Sequence, residues 1–330
     1  MKAVLGVFVA LALGSMALLV SPPLYALYAS LVGDMRLHLV EVLIGLPAWT
    51  IFFGFLARFR PRDPDQKPVH AGFATDATYW FMTPVVLLAS RLVGTLGLAA
   101  LAWAVGLQLG PELRLGFGPI AQQPRWLIAV EMVVLIDLLA YSIHRAMHTF
   151  PWLWRVHAIH HSARQLDWMS AVRIHPLNDV IMFCGTTLTV AALGFPLDLI
   201  LQVYPFVALY AVIIHSNLNI TLRPLSYVLT SPVYHAFHHT HSDEGGNKNF
   251  AGLFPIFDKL FGTYYLPHYT PMKFGLDDHD FPTDVPGQLM YPFRRETSAA
   301  TASTPAPQSR LVDAATVRTQ PEAAAPTSGT

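Results

Sequence analysis

HRAMHTFPWLWRVHAIHH, residues 144–161, packs five of the chain's fifteen histidines into eighteen positions directly after an apolar run. Imidazole is the commonest protein ligand for a borderline metal ion, so this density points to metal binding before acid–base chemistry. His144 and His148 stand four apart and share one face of a helix. His157, His160 and His161 follow at i, i+3, i+4, and adjacent positions on a helix diverge by about 100°. One such triplet can therefore feed two neighbouring metals. The same spacing returns in HAFHH as His235, His238 and His239. A single pair or triplet is a weak signal; the repeat beside a pair is a strong one.

The composition sets the surroundings. With 53% hydrophobic and 13% charged residues in a chain of 330, and a positive mean hydropathy, membrane spans are expected rather than two soluble domains. Cys184 is the single cysteine, which excludes a disulfide framework and multi-cysteine zinc or iron–sulfur sites. Any metal is held by nitrogen and oxygen. A formal charge of zero without a long basic block gives no footprint for nucleic acid.

Met1–Val20 reads as a first span in preference to a signal peptide, because no clean small-x-small site follows. Leu39–Leu56 is a second span, closed by Arg58, Arg60, Arg62 and Lys67, which puts that loop in the cytosol. Tyr79–Leu107 is apolar, broken by Arg91 and longer than one crossing needs. Trp126–Tyr141 returns the chain to the cytosolic side. Asn178–Leu193 and Leu197–Ile214, joined by Gly194-Phe195-Pro196, form a helical hairpin whose ends lie on one side. His175 precedes it and His215 follows it, so both fall beside the first cluster. The expected fold is an all-α integral membrane protein, with transmembrane hairpins under a cytosolic His-rich helical cap. It divides into N-terminal membrane helices (1–125), a catalytic domain (126–295) and a disordered tail (296–330).

Ten histidines are thus candidates: His144, His148, His157, His160, His161, His175, His215, His235, His238 and His239. A structural zinc needs four ligands, so two metals is the economical reading. Asp137 and Tyr141 continue the His144/His148 face backwards. An aspartate inside a span calls for a partner, either a metal-binding imidazole that donates its free N–H or another polar group between helices. His38, His70, His268 and His279 fall outside the pattern and read as solvent or interface residues. The role of His241 is open.

HRAMH, HAIHH and HAFHH, with RIHP at 173–176, HSNLN at 215–219 and FDKLFGTY at 257–264, resemble the fatty acid hydroxylase and sterol desaturase superfamily over roughly residues 130–267. The resemblance implies membrane hairpins under a cytosolic cap that holds a di-iron centre using O2. It carries the ligand role to His144, His148, His157, His160, His161, His235, His238 and His239, with His215 at a further ligand position. His175 of RIHP is then either a ligand or a partner of one. Asn219 stands where some members have a second histidine, and binds through water or not at all. In NKNFAG, Asn247 and Ala251 depart from the usual Asp-x-Asn-aromatic-Gly and leave the role of Asn249 open.

The implied activity is hydroxylation of a lipid of fatty-acyl, sterol, sphingoid or ornithine-lipid type. It uses two Fe ions, O2 and an external electron donor: ferredoxin, a cytochrome b5-like protein or an NAD(P)H reductase. Such an oxidant suits an unactivated C–H bond. Desaturation at the same site is one alternative; a non-catalytic metal-binding or transport protein is another, disfavoured because the clusters lie beyond the span ends. With neither a KDEL-like C-terminus nor a fused haem domain, a bacterial inner membrane is expected rather than the endoplasmic reticulum. Phe150, Trp152 and Trp154 are expected at the membrane interface or at the substrate entrance.

Overall fold

A computed structural model describes residues 43–104, 115–241, 244–278 and 280–294. The expected first span, the C-terminal tail, His38 and His279 lie outside them. The main helices are α1 (Leu43–Phe59), α2 (Phe73–Ala104), α3 (Arg125–Thr149), α4 (Pro151–His161), α5 (Pro176–Ala192), α6 (Leu197–His215), α7 (Pro232–His238), α8 (Ile256–Leu260) and α9 (Val285–Met290). Among the described residues there is no strand, only an isolated bridge between Pro61 and Leu218. The protein is all-α.

Phe73–Gly97 of α2, the whole of α3 and the whole of α6 are long and apolar enough to cross a membrane, while α1 is shorter. Only 22%, 22% and 18% of their most apolar windows are buried, so most of each surface is available to lipid. Val85, Leu96, Trp126, Val130 and Phe206 lie on that outer surface. The chain is a membrane protein. Inside, Ile128, Met132 and Ile136 of α3 pack on Val190 of α5 and on Phe195, Leu199 and Ile200. In hydrocarbon such contacts hold helices by close fit more than by escape from water.

The α5–α6 hairpin turns where the sequence places it. Gly194 has φ +95°, and a Cβ there would stand 2.6 Å from the Phe117 carbonyl oxygen. That crowding and the positive φ both require glycine. The opposite end of the hairpin carries the cap. Arg60 O accepts from Asn219 N at 2.9 Å and Arg62 donates to Ser216 O at 3.2 Å, so the basic loop lies against the end of α6. The chain that follows is fastened to the cap by His70–Asp167 (3.0 Å) and, from the first turn of α2, by Asp76, which accepts from Arg173 (2.6 Å).

Two sequence expectations change here. The fourth span runs past Tyr141 to Thr149, so His144 and His148, expected just beyond the span's end, ride on the last turns of the crossing helix itself. The helix stops because Phe150 precedes Pro151: a residue before proline is pushed out of the α region, and Phe150 has φ −95°, ψ 122°. Pro151 then opens α4 with its fixed φ. Asp137 does not bond an imidazole. Its two oxygens accept from Leu253 N (2.9 Å) and Phe254 N (2.8 Å), which pins the cap loop to α3. The second of the two partners considered for this aspartate, a polar group elsewhere, is the one observed, and it is backbone.

Candidate metal centre

The break at Phe150-Pro151 folds α4 back beside α3. His144 Nε2 lies 3.0 Å from His157 Nε2, and His148 Nε2 lies 3.1 Å from His161 Nε2, each pair thirteen residues apart. Ser231 caps the next short helix by accepting from Tyr234 N, with Pro232 in its first turn, and this helix brings in the second triplet. Two groups result: His144, His148, His157, His161 and His238 form one, and His160, His215, His235 and His239 the other. Within each group the candidate ligand atoms lie within 4.8 Å of one another. Each triplet is divided in opposite proportion, two imidazoles to one group and one to the other. The groups adjoin, with the His161 and His239 rings stacked at 4.5 Å.

The chemistry of the donors can be read from their outer bonds. A carbonyl oxygen only accepts, so an imidazole nitrogen facing one must carry the proton. His144 Nδ1 donates to Phe250 O (2.8 Å), His238 Nδ1 to Lys248 O (2.7 Å) and His215 Nδ1 to Ala211 O (2.6 Å). His157 Nδ1 is held the same way by Asn178 Oδ1 at 2.8 Å. Their Nε2 atoms are therefore lone-pair bearing. The 3.0 Å approach of His144 and His157 sets one lone pair against another, and His238 Nε2 is buried with no hydrogen-bond partner. A cation between them turns that repulsion into attraction. Burial, first, and the neighbouring imidazoles, second, hold His160, His161, His235 and His239 well below the ordinary histidine range. The same burial acts on His157 and His238. The donor sets thus fit a metal ion, which requires neutral imidazoles.

The other sequence-derived residues fall elsewhere. His175 joins neither group. It caps α5 by accepting from Leu177 N at Nδ1 (3.0 Å), and its Nε2 faces Leu289 O at 3.1 Å, so both nitrogens are committed and the ligand role does not fit. Tyr141 bonds Thr263 Oγ1 at 2.9 Å and accepts from Arg145, not from an imidazole. Asn219 is exposed and contributes its backbone to the Arg60 contact. His241 pairs with Asp277, and Arg223 donates to His268. Trp154 turns inward against His148 and His161, at 5.0 and 5.5 Å between ring centres, whereas Phe150 and Trp152 are exposed. Trp154, His161, Thr240, His241 and Asp277 line an open cleft that reaches the five-histidine group.

A third group, His70, Asp76 and Asp167, is already served by Arg173 and by the His70–Asp167 bond, and acts as a fastening. Sequence reasoning missed Asn178, which stands three residues after His175. It also missed the buried Asp258 of the FDKLFGTY stretch, which accepts from Phe250 N, Ala251 N, Tyr234 Oη and Thr263 Oγ1. Both are polar residues beside a motif, and that is the one signal they offer.

Spanning helices whose ends converge on two adjoining, wholly imidazole groups define a class: membrane proteins with a paired, histidine-rich centre able to hold metal. Residues 129–263 match the family model Fatty acid hydroxylase. The chain is 29% identical over 146 residues to the Ornithine lipid hydroxylase OlsE of Rhizobium tropici, covering 43% of this chain and 44% of the relative. It is 31% identical over 144 residues to the Alkylglycerol monooxygenase of Caenorhabditis elegans, 42% of this chain and 28% of that protein. With the Methylsterol monooxygenase 1 of Rattus norvegicus the identity is 27% over 151 residues, 43% and 49% of the two chains. Each match spans less than half of the relative's length. No solved structure matches the chain.

Proposed function

We propose that the protein is a membrane-bound non-haem oxygenase that hydroxylates a lipid, with two iron ions held by the five- and four-histidine groups. The observation that carries this reading is the convergence of fixed lone pairs: His144, His157 and His238 in one group and His215 in the other are turned by outer acceptors so that each Nε2 faces the imidazoles of its own group. Iron with O2 supplies the oxidant that attacks an unactivated C–H bond. The chain's own residues fix the ligands, keep them neutral by burial and place them at the ends of α3 and α6, where an apolar tail arriving from the bilayer can reach them. Exposed Phe150 and Trp152 suit the boundary between lipid and water. The open cleft at His161 and Trp154 suits access from the aqueous side for O2 and for electrons from an external donor.

Hydroxylation is favoured over desaturation because the relatives named above are a hydroxylase and monooxygenases. The lipids in their names suggest a lipid substrate here. The lie of Arg58, Arg60, Arg62 and Lys67 on the same end as the cap supports a cytosolic centre, and the catalytic unit is taken as residues 126–295.

The test is metal content of protein purified in detergent from iron-supplemented cells. The wild type is expected to carry two irons per chain. His215→Ala should lose the share of the four-histidine group, and the pair His148→Ala with His161→Ala the share of the five-histidine group. Loaded protein with reductant and O2 should then add one oxygen to a lipid. Iron content that neither change lowers would sink the proposal.

A further inference from the structure

We propose that Asn249 is a positioning residue for the five-histidine group alone. Its turn aims the two flanking carbonyls, Lys248 O and Phe250 O, at the Nδ1–H groups of His238 and His144. The inference rests on the reading that this group holds a metal.

Asn249 has φ +59° and is fully buried. Left-handed backbone is uncommon outside glycine, and asparagine is among the residues that tolerate it best. Here the conformation has a geometric consequence. A left-handed residue splays the peptide planes on either side of it, so neighbouring carbonyls can reach two different elements. Lys248 O meets His238 on α7 at 2.7 Å, and Phe250 O meets His144 on α3 at 2.8 Å. These two ligands come from opposite ends of the catalytic segment, and one turn sets the tautomer of both.

The turn is itself held from every side. Asn249 Nδ2 donates to Tyr234 O (2.9 Å) and Tyr265 O (2.7 Å), and its Oδ1 accepts from Tyr265 N (2.7 Å). Its backbone N–H donates to Thr263 O at 2.9 Å. Asp258 takes the next two N–H groups, of Phe250 and Ala251, both at 2.8 Å. The Phe250 ring then packs on His144, His148 and His238 with centres 5.7, 5.1 and 5.6 Å away. Among the described residues, the hydrogen bonds and ring contacts of this turn reach imidazoles of the five-histidine group only, and the oriented member of the other group, His215, uses Ala211 O of its own helix. Loss of an outer partner to a metal-binding imidazole typically costs 10–100-fold in affinity. For Asn249 that loss should fall on one group only.

The experiment is a Co(II) titration of metal-free, detergent-solubilised protein followed by visible absorption. Two backgrounds separate the groups: His215→Ala leaves the five-histidine group, and His148→Ala with His161→Ala leaves the other. Asn249→Ala is expected to weaken Co(II) binding about 10–100-fold in the first background and to leave it unchanged in the second. Asn249→Asp keeps a left-handed-tolerant residue and one acceptor while losing the donor to Tyr234 O and Tyr265 O. It should restore part of the affinity, and it decides the matter if the alanine variant does not fold. Equal weakening in both backgrounds, or none in either, overturns the assignment of Asn249. Wild-type protein that takes up no Co(II) overturns the metal reading itself, and this inference with it.

Discussion

The two histidine groups adjoin and are alike in burial, yet they are built by different means. In the five-histidine group, three ligand candidates are oriented by acceptors beyond their own helix turns: His144 by Phe250 O, His238 by Lys248 O and His157 by Asn178 of α5. In the four-histidine group only His215 is so oriented, and by the carbonyl one turn earlier in its own helix. His160 Nδ1 and His235 Nδ1 are buried with no hydrogen-bond partner, two of that group's four imidazoles, against one Nδ1, that of His148, in the group of five. One group is thus assembled by tertiary structure, when residues 248–258 close onto α3 and α7. The other is largely complete once helices α4, α6 and α7 meet. Orientation costs entropy when it is not built in beforehand, so the two positions should differ in how firmly they hold a metal.

What the groups share can be broken first. Six of the nine imidazoles lie off the spans, and all six are held below the ordinary histidine range by burial. In the metal-free protein the unfolded chain takes up protons below about pH 6.5 that the folded chain refuses. Stability is therefore expected to be intact above that pH and to fall as pH drops through it. Each such imidazole adds up to about 1.4 kcal/mol per pH unit. Denaturant unfolding of metal-free protein between pH 5 and pH 8 would read the slope, and a flat profile would remove the claim that both groups are neutral by burial.

The next effect separates the groups through their scaffolding. Asp258→Ala leaves three buried donors, Phe250 N, Ala251 N and Tyr234 Oη, without an acceptor and should lower stability by on the order of 3 kcal/mol. Asp258→Asn should cost less, since it retains an acceptor oxygen. Among the molecules that remain folded, metal loss is expected in the five-histidine group alone, read from metal content against His215→Ala. Loss from both groups alike would show that they do not have independent supports.

Chelator challenge of the wild type sharpens the contrast without mutation. Two additional orienting bonds, at roughly tenfold each, predict that the four-histidine group releases its metal first, with an affinity difference of about 100-fold. Simultaneous release would erase the distinction. At the bottom of the scale stand the residues outside both groups. His175→Ala removes a helix cap and should cost about 1 kcal/mol, and Asn219→Ala should stay within about 0.5 kcal/mol. Neither should alter metal content, and a drop in either variant would return that residue to the list of ligands.

Much of the centre was legible because helical periodicity is short-ranged. The spacing of His157, His160 and His161 fixes how the imidazoles fan out, and hence that one triplet can serve two sites. The hairpin was readable from Gly194-Phe195-Pro196, and its closure put His215 beside the cluster by topology alone. For Asp137 the sequence shows the need for a partner but leaves its kind open, because the partners, Leu253 N and Phe254 N, are backbone atoms more than a hundred residues away. Backbone carbonyls leave no mark in a sequence, so Phe250 O, Lys248 O and Ala211 O could not be foreseen. His175 is drawn in by the same topological count as His215, whereas helix capping already uses its Nδ1.

The turn at Phe150-Pro151 has a further consequence, for the way this sequence can change over time. His144 meets His157 and His148 meets His161 across the same offset of thirteen residues, so both pairs depend on one count. Insertion or deletion of a single residue in α4 ahead of His157 would rotate the remainder of the helix by about 100° and carry both partners away together. Exposed side chains such as Phe150 and Trp152 can be exchanged one at a time, but the number of residues cannot. Related sequences should therefore vary in identity along this stretch while keeping its length, and a homologue with a gap there should lack the five-histidine group altogether.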